Sequence, residues 1–120
     1  MTIERLAEAA NADALARRWG RAMTGTFMVE VGVEQWLVEV REGVVERVRK
    51  GPFTMPGWRF AIRAPREAWD KFWQPLPEPG WHDLFGLLRR GDARIEGDVR
   101  FAMAHMLFLK LMLSAPRRAA

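Results

Sequence analysis

The sequence predicts an α+β fold, a five-stranded, mostly antiparallel sheet with helices gathered on one face. Three observations carry that prediction. Residues 26–50 alternate apolar and polar with a period of two, interrupted by two turn signals, as successive antiparallel strands do. Segments 65–90 and 99–114 instead repeat their apolar residues every three or four positions, as helices do. Finally, 120 residues with 49% hydrophobic and 28% charged side chains suffice for one core, so 1–120 reads as a single domain.

The elements follow in order. Residues 1–20 read as an alanine-rich helix from Thr2 to Trp19, closed by Gly20, with Arg17 and Arg18 in its last turn where cations suit the helix dipole. Asn11-Ala-Asp13 is a candidate break within it. Region 26–63 holds four strands. Phe27, Val29 and Val31 alternate with Met28 and Glu30, Gly32-Val33 turns, and Trp36, Val38 and Val40 alternate with Gln35, Leu37, Glu39 and Arg41. Glu42-Gly43 is a tight hairpin turn, and Val44 to Lys50 returns as the third strand of a meander. Gly51-Pro-Phe-Thr-Met-Pro-Gly57 is a loop. On the fourth strand Trp58, Phe60 and Ile62 are expected to face one way, Arg59 and Arg63 the other.

Pro65 opens a helix carrying Ala68, Trp69, Phe72 and Trp73, and Pro75-Leu-Pro-Glu-Pro79 is a stiff connector. A second short helix from Gly80 or Trp81 to Leu88 would place Trp81, Leu84, Phe85 and Leu88 on one side. Residues 93–97 form the fifth strand. Asp98 then caps a long helix over 99–114, with Pro116 marking its stop. At 100° per residue Arg100, Lys110 and Ser114 share one narrow arc of that helix. Phe101, Phe108, Leu109, Met112 and Leu113 spread over the rest, more apolar surface than a helix lying on a sheet needs. The excess points to a greasy ligand.

Composition excludes several chemistries. The chain has no cysteine, so disulfides, thiolate catalysis and cysteine metal sites are absent. The missing cysteines and an acidic N-terminus unlike a signal peptide fit a cytoplasmic protein. A net charge of +4, spread among alternating acids, reads as a solvated surface rather than a nucleic-acid face, and leaves at most transient contact with a membrane surface. His82-Asp83 has the residue types of a base and its orienting carboxylate, but helix neighbours point about 100° apart, and Asp83 suits a capping role better. Asp92, Arg94, Glu96 and Asp98 alternate on a water-facing strand side, and no metal or cofactor is implied. No phosphate-cradling loop is present. His105 lies in the apolar arc, either bonded to a backbone carbonyl within the core or serving as a polar handle inside a pocket.

Six tryptophans and seven phenylalanines, seven of these rings between positions 58 and 85, join a helix bearing Met103, Met106 and Met112. Methionine suits surfaces that accept varied apolar partners, which favours a lined cavity. The segments Trp58-Arg-Phe-Ala-Ile-Arg63, Leu84-Phe-Gly-Leu-Leu-Arg-Arg-Gly91 and Ala93-Arg-Ile-Glu-Gly-Asp98, in this order before a hydrophobic helix, resemble the sterol carrier protein family. The resemblance covers roughly residues 26–113 and implies a five-stranded sheet whose helices enclose a hydrophobic tunnel for fatty acyl, sterol or isoprenoid chains. Trp69, Trp73 and Trp81 are bulkier than the usual occupants.

The sequence therefore reads as a bacterial, cytoplasmic, non-catalytic lipid-binding protein. Its expected ligand-binding residues are the rings Phe60, Trp69, Trp73, Trp81 and Phe85, together with Met103, His105, Met106, Leu109 and Leu113 of the last helix. His105 or a rim arginine, Arg59 or Arg63, would meet the polar end of the ligand. Two alternatives stay open: a small isomerase- or cyclase-type enzyme on an apolar substrate, and a dimerisation or accessory module whose greasy helix docks a partner. Oligomeric state is not readable.

Overall fold

The period-two segments become strands. In the computed structural model, which describes residues 3–54 and 57–119, β1 (Gly25–Val31), β2 (Glu34–Arg41) and β3 (Val44–Lys50) form the expected antiparallel meander. Glu42 and Gly43 both take left-handed backbone angles, φ 47° and 80°, as a two-residue hairpin turn requires. The fourth strand, β4 (Phe60–Ala64), does not continue the meander. It joins β1 in parallel, Phe27 opposite Phe60 and Val31 opposite Ala64, and β5 (Arg94–Gly97) runs antiparallel to β4. The sheet order is β3-β2-β1-β4-β5, a mixed sheet.

To reach β1 from the far edge, the chain crosses the face of the sheet opposite the helices. There Phe53 and Trp58 cover Met28, Leu37 and Ala61. Trp58 thus lies on the opposite face from Phe60 and Ile62, against expectation. It precedes the first residue of β4, so the alternation of the strand does not govern it. Met55 and Pro56 of this loop lie outside the described residues.

The other face holds the main core, built by Phe27, Val29, Val31, Trp36, Val38, Phe60 and Ile62 and covered by the helices. The expected N-terminal helix is a 3-10 turn (Ile3–Arg5), α1 (Leu6–Ala12) and α2 (Ala14–Trp19), broken at Asp13; Thr2 lies outside the described residues. Asp13 takes an extended backbone and its carboxylate accepts the N–H groups of Leu15 and Ala16, each at 3.1 Å. Asn11 pins α1 to the sheet edge, donating to the Val45 carbonyl and accepting the Val45 N–H, both at 2.8 Å.

Arg118 reaches back to Asp13 at 2.9 Å. Burial pulls the Asp13 carboxyl up, but the Ala16 amide, Arg118 and the Leu15 amide together outweigh it and hold the group below its ordinary value of 3.8. A depressed folded-state value contributes stability that is present above 3.8 and lost as pH falls through the folded value. Asp13→Ala is expected to cost about 1 kcal/mol at neutral pH. Denaturant melts at a series of pH values should show that gap closing below 3.8, and a gap independent of pH would refute the assignment.

Of the three further helices expected, the first forms as read and the other two depart in detail. Pro65 precedes α3 (Arg66–Phe72), which buries Ala68, Trp69 and Phe72. The next helix, α4 (Leu84–Arg90), starts later than expected because the Asp83 carboxylate accepts the Phe85 N–H at 3.2 Å; Trp81 therefore sits in the connector rather than on the helix. The expected single helix 99–114 is two, α5 (Val99–Ala104) and α6 (Met106–Ala119), joined at His105.

Pro116 does not end α6 but lies inside it. Proline removes one helical N–H, and carbonyls nearby find side-chain donors. Trp73 Nε1 bonds the Leu113 carbonyl at 2.8 Å, Ser114 Oγ bonds Lys110 at 2.7 Å, and Arg118 bonds Leu111 at 2.8 Å. No helix among the described residues is long and apolar enough to cross a membrane.

Candidate functional site

The parallel register of β1 and β4 sets Phe27 beside Phe60, and their rings stack with centroids 4.9 Å apart and planes within 5°. This pair floors one end of the main core. Above it, Phe101 of α5 leans on Phe60 at 6.1 Å, and the Arg59 guanidinium lies 3.7 Å from the Phe101 ring centre.

Gly97 makes the turn from β5 into α5 with φ 93°; a Cβ there would lie 2.8 Å from the Arg59 carbonyl oxygen, so only glycine fits. Asp98 then caps α5, accepting the Phe101 N–H at 3.0 Å, and pairs with Arg59 at 3.1 Å. The Phe101 amide, then Arg59, holds its carboxyl below the usual range.

Attachment of α5 is thin. Ala102 is its one fully buried side chain. On its outer side Val99 and Met103 are 40% and 43% exposed, and Leu107 at the start of α6 is 46% exposed. The cover over the phenylalanine floor is thus apolar on its inner side, while its outer side sets Val99 and Met103 beside the exposed Arg100.

The ten residues expected to bind ligand divide by position. Phe60, Trp69, Trp73, Leu109 and Leu113 are buried in the main core, with Met106 half-buried against it. Trp69 and Trp73 stack at 4.9 Å, and both indole N–H groups are engaged, Trp69 with the Glu30 carbonyl at 2.9 Å and Trp73 with that of Leu113. Trp81 is half-buried between the cationic ends of Lys71 and Arg90, at 4.6 and 4.5 Å. Phe85 and Met103 lie on the outer surface, Phe85 with Lys110 5.3 Å above its ring.

His105 occupies the joint between α5 and α6, half-buried, its ring edge-on to Phe101 at 4.7 Å. Its imidazole makes no hydrogen bond among the described residues, so the alternative of a carbonyl-bonded core histidine does not hold. Phe27 and Phe101 belong to the same aromatic group and were not singled out from the sequence. Their alternation and helical spacing were visible, but the parallel pairing that stacks Phe27 on Phe60 carries no local signal.

The acid–base candidates are otherwise occupied. Asp83 caps α4 and pairs with Lys110 at 3.3 Å, while the neighbouring His82 is exposed. Asp92, Glu96 and Asp98 pair with Arg90, Arg63 and Arg59. Two clefts open elsewhere. One of about 420 Å³ at the ends of β1 and β4 is lined by Glu30, Arg63, Asp92 and Arg94 among others. The other, about 160 Å³, is lined by Lys71, Gln74 and Glu78. Both have charged walls, and neither is lined by the phenylalanine floor.

No protein-family model and no curated protein matches the sequence. Solved structures do match the fold. A crystal structure of sterol carrier protein 2 superposes with a TM-score of 0.79 over 99% of this chain and 95% of that one, at 13% identity. The chain has the sterol carrier protein 2 fold.

A conserved hypothetical protein of Thermus thermophilus shares this fold with a TM-score of 0.74 at 12% identity, over 99% of this chain and 86% of that one. The UbiJ-SCP2 ubiquinone synthesis protein shares it with a TM-score of 0.59 at 13% identity, over 96% and 87%. The sterol carrier protein 2 fold therefore spans nearly the whole chain, including α1 and α2, beyond the residues that carried the sequence resemblance.

Proposed function

We propose that the protein binds a single apolar chain, fatty acyl, sterol-like or isoprenoid, between the sheet and α5–α6, without catalysis. One observation carries this reading: α5 covers the stacked Phe27–Phe60 floor with one buried side chain. Such a cover is held weakly, and local opening draws on the weakly packed elements. The names of the matched proteins, a sterol carrier and a ubiquinone synthesis protein, point to apolar lipids.

In this reading α5 swings about His105 and moves Phe101 off Phe60. The alkyl chain enters between Phe60, Met106 and Leu109, with Trp69, Trp73 and Leu113 as the far wall. Met103 and His105 stand at the mouth, Trp81 and Phe85 on the outer rim, and Arg59 is placed to meet an anionic head group. Burying a sixteen-carbon chain contributes roughly 12 kcal/mol gross at about 0.8 per methylene. Association and the displacement of Phe101 offset several of these, leaving micromolar affinity, suited to a carrier that must release. The reducing cytoplasm suits a chain without cysteine.

Displacement of a fluorescent fatty acid tests the reading. The unaltered protein should bind it at micromolar concentration, and Leu109→Trp, which fills the entry space, should weaken binding roughly tenfold at a stability cost of about 1–3 kcal/mol. Folded unaltered protein that takes up no fatty acid, or a folded Leu109→Trp variant that binds as well, would sink it.

A further inference from the structure

We infer that β5 is a docking edge for a second copy of this chain, the two β5 strands pairing antiparallel about Ile95. The two edges of the sheet, β3 and β5, are treated differently. At β3 the Asn11 side chain takes both the N–H and the C=O of Val45, so α1 closes the edge there. At β5 the Asp98 N–H bonds the carbonyl of Arg59 at 3.0 Å. Hydrogen-bonded pairs alternate along an antiparallel ladder, so Glu96 and Arg94 also face β4, and Ile95 and Gly97 turn their N–H and C=O groups outward. Among the described residues nothing bonds those outward groups.

An open edge can pair with any strand through its backbone, so its side chains decide which one fits. Arg94 and Glu96 stand two apart on the face opposite the helices, beside Ala61 and Arg63. They are opposite in sign, with side chains 69% and 43% exposed. Glu96 also ends a row of alternating charges, bonding Arg63 of β4 at 2.6 Å, which in turn pairs with Glu30 of β1.

With Ile95 opposite the copy's Ile95, Arg94 falls opposite the copy's Glu96, and Glu96 opposite the copy's Arg94. The row of alternating charges then continues into the second sheet, and the two Ile95 residues exchange both backbone bonds. A strand with two charges of one sign would repel its own copy in this register; this strand matches it. Beyond the strand Asp92 meets the copy's Asp98, and each already pairs with an arginine of its own chain, Arg90 and Arg59. The contact is two-fold and self-complementary. Four residues on each side make it small, so the dimer dissociates on dilution.

Sedimentation of the full chain between about 10 µM and 1 mM tests the inference. The unaltered chain should pass from monomer to dimer across that range. Arg94→Glu leaves two acids on the edge, and Glu96→Arg leaves two arginines. Each variant alone should therefore dimerise roughly tenfold more weakly. Mixed in equal amounts the two should pair again, because every acid of one then faces an arginine of the other. Ile95→Pro removes the outward N–H without touching the ladder to β4, and it should stay monomeric with an unchanged circular dichroism spectrum. An unaltered chain that is monomeric at the top of the range would overturn the inference. So would variants that dimerise as it does, or a mixture no more dimeric than its components. The inference does not need the interior site, which fatty-acid displacement reads separately.

Discussion

Trp69→Ala is expected to destabilise the fold by about 4 kcal/mol, the largest effect of any single truncation proposed for this protein. The indole is fully buried, stacks on Trp73 at 4.9 Å and receives the edge of Phe72 at 5.7 Å. Its removal leaves a cavity between α3 and the sheet. It also strips the Glu30 carbonyl of a donor at 2.9 Å. Trp69→Phe keeps most of the packing and loses the hydrogen bond, so it should cost less, about 1–3 kcal/mol. Since a domain of this size is stable by roughly 5–15 kcal/mol, the alanine variant should still fold but melt much earlier. Urea titration followed by far-ultraviolet circular dichroism measures both. A loss under about 1 kcal/mol for alanine would mean that α3 does not secure the core as its packing implies.

Gly43→Ala should cost about 3 kcal/mol or more, through two separable causes. Gly43 sits at φ 80°, where any Cβ is strained by about 1–2 kcal/mol. A Cβ there would also lie 2.6 Å from the Gly20 carbonyl carbon and 2.7 Å from its oxygen. Both contacts are to backbone, so no side-chain rotation relieves them. The hairpin turn is locked against the end of α2, and the Gly43 N–H bonds the Met23 carbonyl at 3.0 Å just beyond. Gly91 supplies the control. It has φ 83° at the end of α4, and nothing lies within 4 Å of the position its Cβ would take. Gly91→Ala should therefore show the conformational cost alone, about 1 kcal/mol. Thermal melts of the two variants side by side isolate the clash, and equal losses would deny it.

Much of the candidate site was legible as residue types and not as placement. Phe60, Trp69, Trp73, Leu109 and Leu113 lie in the core, where apolar periodicity sends such residues. Phe85 and Met103 have the same apolar character and lie outside, because the helical period says which residues share a side but not which side meets the sheet. His105 sits in the apolar arc of an unbroken helix by spacing alone, yet it is the joint between two helices, a feature with no proline or glycine to announce it.

Sequence alone determined what depends on neighbours a few residues apart: the β1–β3 meander, the Glu42-Gly43 turn, the break near Asp13 and the caps at Asp83 and Asp98. Each rests on alternation, a left-handed turn or one short side-chain-to-backbone bond. Only the tertiary structure decided the parallel pairing of β1 with β4, the passage of Trp58 to the far face, the division of the last helix at His105 and its continuation through Pro116. The strand pairing and the passage through Pro116 involve contacts between residues some thirty or more positions apart, such as Phe27 with Phe60 and Trp73 with Leu113. Interactions of that range act through packing in the assembled core, which no local pattern encodes.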